Sequence, residues 1–510
     1  MKRMLACLLV LCMCLPFAAC GGNGGSGTGG PGGGGTEGAY EFIDNVGEHN
    51  FGNEEFVISA LAAYEWEIYK EEEEPDACDT AILIRNQRLT DRFNATITPV
   101  IFTAGIANDH AADVRMELLN GNDDLLDMVL MQLWLAGPCV LTGMLYDLRS
   151  EVPYVKDSVG KTDWWNAKMN DCYSILGRQY VGVCDINLSA VSSTWCILWN
   201  QEMASQNNIA KKIDPSYTSL YDAVDAGTWT IDNMTAIVKD FWQDNPNGAA
   251  PGERDIDDTY GLSYSSIHAR EIFTNAFGYD LVVNDGQMMP ELTTMSQGMV
   301  INIGKIKTLF SSSGCNNFGQ DYGEWDVKFA NGQSLFFMTT LATLDGDVIH
   351  ESEIKFGVLP FPKADMNQKE YYAGTQDAMS TLICPLNLTE RLEMTGVMIE
   401  ALAAESHQSV LPAYYEVILK YNATRDERSV DMIETIYEGR RYNLAGIHSS
   451  STSELRTSTG GGLAYIFRDL ASPLSTKNPA DFWSAEASNF QIRLEDLIAE
   501  YEAIAELAMG

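Results

Sequence analysis

Between Phe56 and Met131 the sequence switches repeatedly between strand and helix periodicity, and that alternation restricts the fold more than any overall property. Phe56–Ala63 (FVISALAA) alternates as a strand does, and Asp79–Phe93 places Ile82, Leu83, Leu89 and Phe93 along one side of a helix. Ala95–Phe102 is again β-rich, His110–Leu119 predicts a second helix, and Leu125–Met131 (LLDMVLM) predicts a third strand. Strands joined through helical crossovers lie parallel, with helices packed on the sheet. The fold class is therefore α/β. Ligands of such sheets sit beyond the carboxyl ends of the strands, here near Thr103 and near Gln132 to Trp134.

The first 35 residues say where such a fold would work. Lys2 and Arg3 precede an apolar run, Met4 to Phe17, too short for a comfortable membrane span, which reads as an export signal over residues 1–19. Ala18-Ala19-Cys20 resembles a bacterial lipobox, with Phe17 where Leu is commoner, so Cys20 is the expected lipidation site. Ordinary secretion with a free Cys20 is the alternative. From Gly21 to Gly35, 11 of 15 residues are Gly, a composition that buries nothing and makes residues 20–52 a flexible tether. A long tether on an acylated cysteine suits a protein standing on the extracellular face of a bacterial cell membrane. Loss of the signal takes the formal charge from −38 to −40, which repels phosphate backbones and anionic headgroups. Nucleic acid is excluded as a partner, and membrane contact falls to the lipid anchor. No later apolar run is long enough to span a bilayer. The remaining length suits two lobes with separate cores.

Seven cysteines follow Cys20 with no CxxC pair among them, a spacing that suits neither a disulfide framework nor a zinc site. Cys172 and Cys184 flank a predicted hairpin (Tyr173–Cys184), but a turn at Gly177 and Arg178 sets them one residue out of register. Further along, Val191–Asn200 reads as a strand, Ser219–Ala226 and Ile231–Trp242 as helices, and Tyr260–Tyr264 and Ser334–Met338 as strands. Phe356–Lys363 (FGVLPFPK) is extended, because its two prolines forbid a helix or a central ladder position. Helices are expected over Arg391–Ala404, near Pro412–Lys420, over Ser429–Glu438 and over Phe490–Leu507.

Several of these stretches together resemble extracellular solute-binding lipoproteins of family 1, the carbohydrate-type receptors of ABC importers. They are the lipobox and tether, Trp164-Trp165, YDAVDAGTWTID (Tyr221–Asp232), ERDIDDTYGL (Glu253–Leu262), IKFGVLPFPKADMNQKEYY (Ile354–Tyr372) and VLPAYYEVILKYNATRDERSVDMI (Val410–Ile433). The resemblance implies a two-lobed periplasmic-binding-protein-like fold of type II, each lobe a mixed sheet flanked by helices, with a helical C-terminal region. Residues 53–188 plus 362–405 would form lobe 1 and residues 189–361 plus 406–510 lobe 2, with crossings near Asp185–Ser192 and Phe356–Lys363. It also implies a monomeric receptor that passes a small carbohydrate to permease subunits.

Sugar receptors need flat aromatic surfaces together with groups that both donate and accept. Trp134 and Gln132 stand where a first-lobe strand ends, while Trp164, in a loop, needs something to cover it. By the resemblance, Ser193, Thr194 and Trp195 lie on a ligand-facing strand past the hinge, Thr339 and Thr340 follow a second-lobe strand, and Gln376 and Asp377 occupy a turn near the ligand. Each of these is as readily explained by packing or turn formation. Trp229 reads as the cover of a helix end. No cofactor is expected. The acidic loop Asp244–Asp258 resembles a calcium loop, but Pro246 occupies a ligand position and its aspartates cluster late. Six histidines without HExxH, and the absence of GxSxG and Walker motifs, leave little case for an enzyme. A surface glycan hydrolase, which needs only two carboxylates, or a glycan-adhesion protein is the alternative.

Overall fold

The computed structural model describes residues 40–72, 76–103, 107–120, 126–285, 287–318, 325–386, 388, 390–416, 426–448, 455 and 462–509. The export signal, Cys20 and residues 417–420 of the helix expected near Pro412 lie outside them. Contacts divide the chain after Phe42. In the first unit the Tyr40 and Phe42 rings meet edge to face at 5.2 Å; all that follows concerns the second, residues 43–510.

Among the described residues nine strands build the two main sheets: β1 (Glu54–Leu61), β2 (Ala95–Phe102), β3 (Met128–Gln132), β4 (Trp195–Asn200), β5 (Trp242–Gln243), β6 (Thr259–Tyr264), β7 (Ser334–Thr340), β8 (Phe356–Leu359) and β9 (Ser380–Ile383). The first sheet has the order β9-β3-β1-β2 and the second β8-β4-β7-β6-β5. As the alternating sequence requires, β1 pairs in parallel with both β2 and β3. The helix between β1 and β2, Ala77–Phe93, starts on Asp76, whose side chain accepts from the amides of Cys78 and Asp79. It stops at Asn94 in the left-handed conformation, φ 49°. The fold is the two-lobed type II α/β architecture, each sheet mixed and flanked by helices. The packed body begins before β1: Arg92 donates to both oxygens of Asp44, at 2.5 and 3.0 Å, and Val46 is buried.

Three passes of chain run between the two sheets and their flanking helices, and the first two are tied together. The outward pass begins with a helical turn, Ser189–Ser192, where the sequence predicts the start of a strand. Ser189 Oγ instead accepts from the Ser380 amide and meets Ser380 Oγ at 2.9 Å, so the ladder starts only at Trp195. The return pass runs from Pro360 to Met379, longer than the expected Phe356–Lys363. Thr194 and Thr375 form an isolated antiparallel bridge, and the Gln376 amide donates to the Ser193 carbonyl at 2.9 Å. A third pass follows helix Leu392–Glu405 through a π-helical turn, Ser406–Val410. It leads to helix Glu427–Glu438, whose Ser429 Oγ accepts from the β8 amide of Val358.

The hairpin expected over Tyr173–Cys184 shrinks to its turn. Leu176 and Gly177 both take positive φ (56° and 72°), and Ile175 and Arg178 exchange backbone hydrogen bonds of 3.0 Å. Beyond that the arms part, because Gly182 pairs with Leu382 on β9 and Cys184 with Trp165. The turn is centred one residue earlier than expected, and Cys172 and Cys184 are both free thiols.

Candidate ligand-binding site

A cavity of about 40 Å³ lies just past the carboxyl ends of β3 and β6, where the α/β rule places ligands. Leu133, directly after β3, forms one side, and Glu271, Ile272 and Asn275, from the helical segment after β6, form another. Thr375 and Asp377 of the return pass close it between them. Arg441, Tyr442, Asn443 and Tyr465 of the C-terminal region roof it, and Tyr173 completes an aromatic wall. The space is of the order of a few waters.

The wall is dense in charge. Asp377 Oδ2 accepts from Tyr465 Oη at 2.5 Å, and His268 Nδ1 meets Glu271 Oε1 at 2.7 Å. Donor atoms of His268, Glu271 and Asp377 all lie within 4.8 Å of one another, a spacing at which a metal ion could be held. Burial pushes the Glu271 and Asp377 carboxyls above their usual range, and His268 partly offsets this in both. Burial disfavours the charged imidazole of His268, but the Glu271 hydrogen bond and charge outweigh it and hold that group above its ordinary value. Arg441 pairs with Asp280 and stacks over Tyr372, 4.8 Å from its centroid.

Three polar atoms on lining residues are sealed from solvent without a hydrogen bond: Thr375 Oγ1, Glu271 Oε2 and Arg441 Nε. Each such group costs about 1–3 kcal/mol relative to a partnered one. Three of them around one space give this wall spare hydrogen-bonding capacity.

Around this wall the structure gathers part of the expected site. Trp134 donates through Nε1 to Gln132 Oε1 at 2.8 Å and through its amide to the Asp377 carbonyl at 3.3 Å. Gln376 and Ser193, and Thr194 with Thr375, are the pairs that tie the two passes. The remaining residues stand elsewhere. Trp195 is fully buried, edge to face with Phe361 at 6.3 Å. Thr340 pairs with it across the ladder, and Thr339 meets Thr343 through their hydroxyls at 2.6 Å. Trp164 Nε1 donates to Glu400 at 2.9 Å, as does Trp165 Nε1. Trp229 donates to the Pro360 carbonyl at 2.9 Å at the start of the return pass. In the Asp244–Asp258 loop the carboxylates turn inward: Asp258 accepts from the Asn245 and Asp255 amides and the Trp242 indole, and Asp255 from the Ala250 and Asp257 amides. Those oxygens cap their own loop. Sequence reasoning passed over His268, Glu271, Arg441, Asn443 and Tyr465; only the cluster Arg440-Arg441-Tyr442-Asn443 offered a local signal, cations beside an aromatic in a loop.

No family model matches the sequence, and no curated protein matches it. Solved structures do match at low identity. The cyclic α-maltosyl-1,6-maltose binding protein of Arthrobacter globiformis is 12% identical with TM-score 0.53, covering 87% of this chain and 100% of its own. UgpB of Mycobacterium tuberculosis, in complex with glycerophosphocholine, is 15% identical with TM-score 0.51 over 88% of this chain and 99% of that one. The maltose-binding periplasmic protein MalE of Listeria monocytogenes, in complex with maltose, is 13% identical with TM-score 0.51 over 88% and 98%. These likenesses establish the fold.

Proposed function

We propose that this chain is the substrate-binding lipoprotein of an ABC importer, related to the solute-binding proteins of family 1. It captures a small polar solute, an oligosaccharide by preference, between its lobes and delivers the closed complex to a permease. Acylated Cys20 and the Gly-rich stretch hold it outside the cell membrane; among the described residues no helix is long and apolar enough to cross one. The observation that carries this reading is the cavity beyond β3 and β6, walled by tyrosines and by hydrogen-bonding atoms that lack partners. Sugars offer hydroxyls that both donate and accept, which suits Thr375, Glu271 and Arg441 together. The structural neighbours named for maltose and cyclic maltosyl-maltose support a sugar, and the one in complex with glycerophosphocholine supports a small polar solute more broadly. Domain limits of 53–188 plus 362–405 and 189–361 plus 406–510 remain part of this proposal, as does action as a monomer.

The test is a panel of mono- and oligosaccharides and glycerophosphodiesters in thermal-shift and calorimetric titrations. A saturable rise in melting temperature, with the sugar recovered intact, is the expected result. One observation favours the hydrolase alternative: Glu271 and Asp377 form a close acid pair on the cavity wall. Product released during prolonged incubation, and lost in Glu271→Gln, would decide for hydrolysis.

A further inference from the structure

We propose that His268, Glu271 and Asp377 form a binding site for a divalent transition-metal ion, of the zinc or manganese class, on the wall of the cavity. One imidazole nitrogen and two carboxylates, all within 4.8 Å of one another, offer the mixed nitrogen and oxygen donor set that such ions prefer. Contraction of about 0.7 Å or less would bring all three donors to metal-bonding distance. His268 and Glu271 are three residues apart, His268 in the short helical segment Ile267–Arg270 and Glu271 at its junction with the next, Ile272–Ala276. Asp377 arrives from the return pass, so the site joins two separate stretches of chain.

A second observation points the same way. Glu271 is only 8% exposed, yet its Oε2 accepts no hydrogen bond. Its nearest cation is Arg468, whose Nη1 is 3.7 Å away, while Arg468 Nε donates to Asp469 at 3.0 Å and its guanidinium stacks on Tyr465. Arg468 thus hydrogen-bonds to Asp469 and reaches Glu271 through its charge alone.

Glu271 and Asp377 also line the cavity, so coordination positions left over by the protein face the space a solute would fill. Bound there, the ion would pin the segment after β6 to the return pass. Its presence does not depend on which solute, if any, the cleft accepts.

The test uses the full chain, stripped with chelator and titrated with ZnCl₂, MnCl₂ or CaCl₂ in the absence of any sugar. One ion of zinc or manganese per chain, with a rise in melting temperature reversed by chelator, is expected. Glu271→Gln, Asp377→Asn and His268→Ala should each weaken that binding at least tenfold. Because these variants could disturb the fold, each is checked by the cooperativity of its metal-free melt, and Thr375→Val, which leaves all three donors in place, should keep the stoichiometry. Absence of binding overturns the proposal. So does binding that the three substitutions leave unchanged, which would locate the ion among surface acids, or an equal response to calcium, which would remove the role of the imidazole. A failed sugar panel alongside successful metal binding would count against the receptor reading alone.

Discussion

Glu400 and Glu271 are two buried glutamates in the same body, and their surroundings could hardly differ more. Glu400 is enclosed by donors: Trp164 and Trp165 through their indoles at 2.9 Å each, and Ser158 through its hydroxyl at 2.5 Å. Glu271 meets one histidine, and its other oxygen makes no hydrogen bond but faces Arg468 at 3.7 Å. The first carboxylate is saturated by donors. The second keeps acceptor capacity, and the proposed site is placed there on that contrast.

The comparison can be broken most severely at Trp195, which is fully buried against Phe361 although its indole N–H, unlike the donors around Glu400, has no hydrogen-bond partner. Trp195→Ala should cost about 3–5 kcal/mol of stability in denaturant titration, as a large core truncation does. Solute affinity of the folded fraction should stay within about twofold; a tenfold loss would return the indole to the binding surface. Next in size, Glu400→Gln places an amide N–H against an indole N–H and should cost about 2–3 kcal/mol by the same titration, again with affinity retained.

Glu67 extends the contrast to pH. It is wholly buried, accepts from Ser380 Oγ at 2.6 Å beside the point where the passes meet, and burial raises its carboxyl to about 7. A carboxyl raised in the folded state is fully stabilising below its unfolded pKa of about 4.3, and that contribution is lost as pH rises toward 7. Wild-type stability should therefore fall by about 3 kcal/mol across that interval through this group alone. Glu67→Gln should flatten that portion of the profile, measured by urea midpoints from pH 4.5 to 8. An unchanged slope would mean the carboxylate is solvated on opening of the lobes. The smallest expected effect is the sharpest: Thr375→Val removes a stranded hydroxyl without changing shape. The unliganded protein should gain about 1 kcal/mol while solute affinity drops by a similar amount. Opposite signs in melting and binding are what a site produces; a simple packing position would give the same sign in both.

Much of the architecture was legible from periodicity. The β1-helix-β2-helix-β3 succession follows the apolar spacing, and Ala95–Phe102 matches its strand end to end. What escaped was set by contacts distant in sequence. The Ser189–Ser192 turn exists because Ser380, far along the chain, takes its hydroxyl, and the Tyr173–Cys184 arms diverge because β9 claims Gly182. The site followed the same division. Gln132, Trp134 and Asp377 were reachable through the strand-end rule and the family resemblance, and they do lie together. Trp164 drew attention as an aromatic in a loop that needs cover, but nothing local to that residue announces a glutamate 236 positions later that satisfies its indole. Tyr465 and Glu271 gave no local sign at all, being ordinary residues made special by what they meet.

The bridge between Thr194 and Thr375 has a mechanical consequence. Two connecting ribbons cross-linked midway behave as a flat strap rather than as two independent cords: easily flexed across its face, stiff against twisting or sliding. Were the protein to close on a solute as proposed, such a strap would favour rocking over twisting and would return Asp377 to the same place beside Glu271 at each closure.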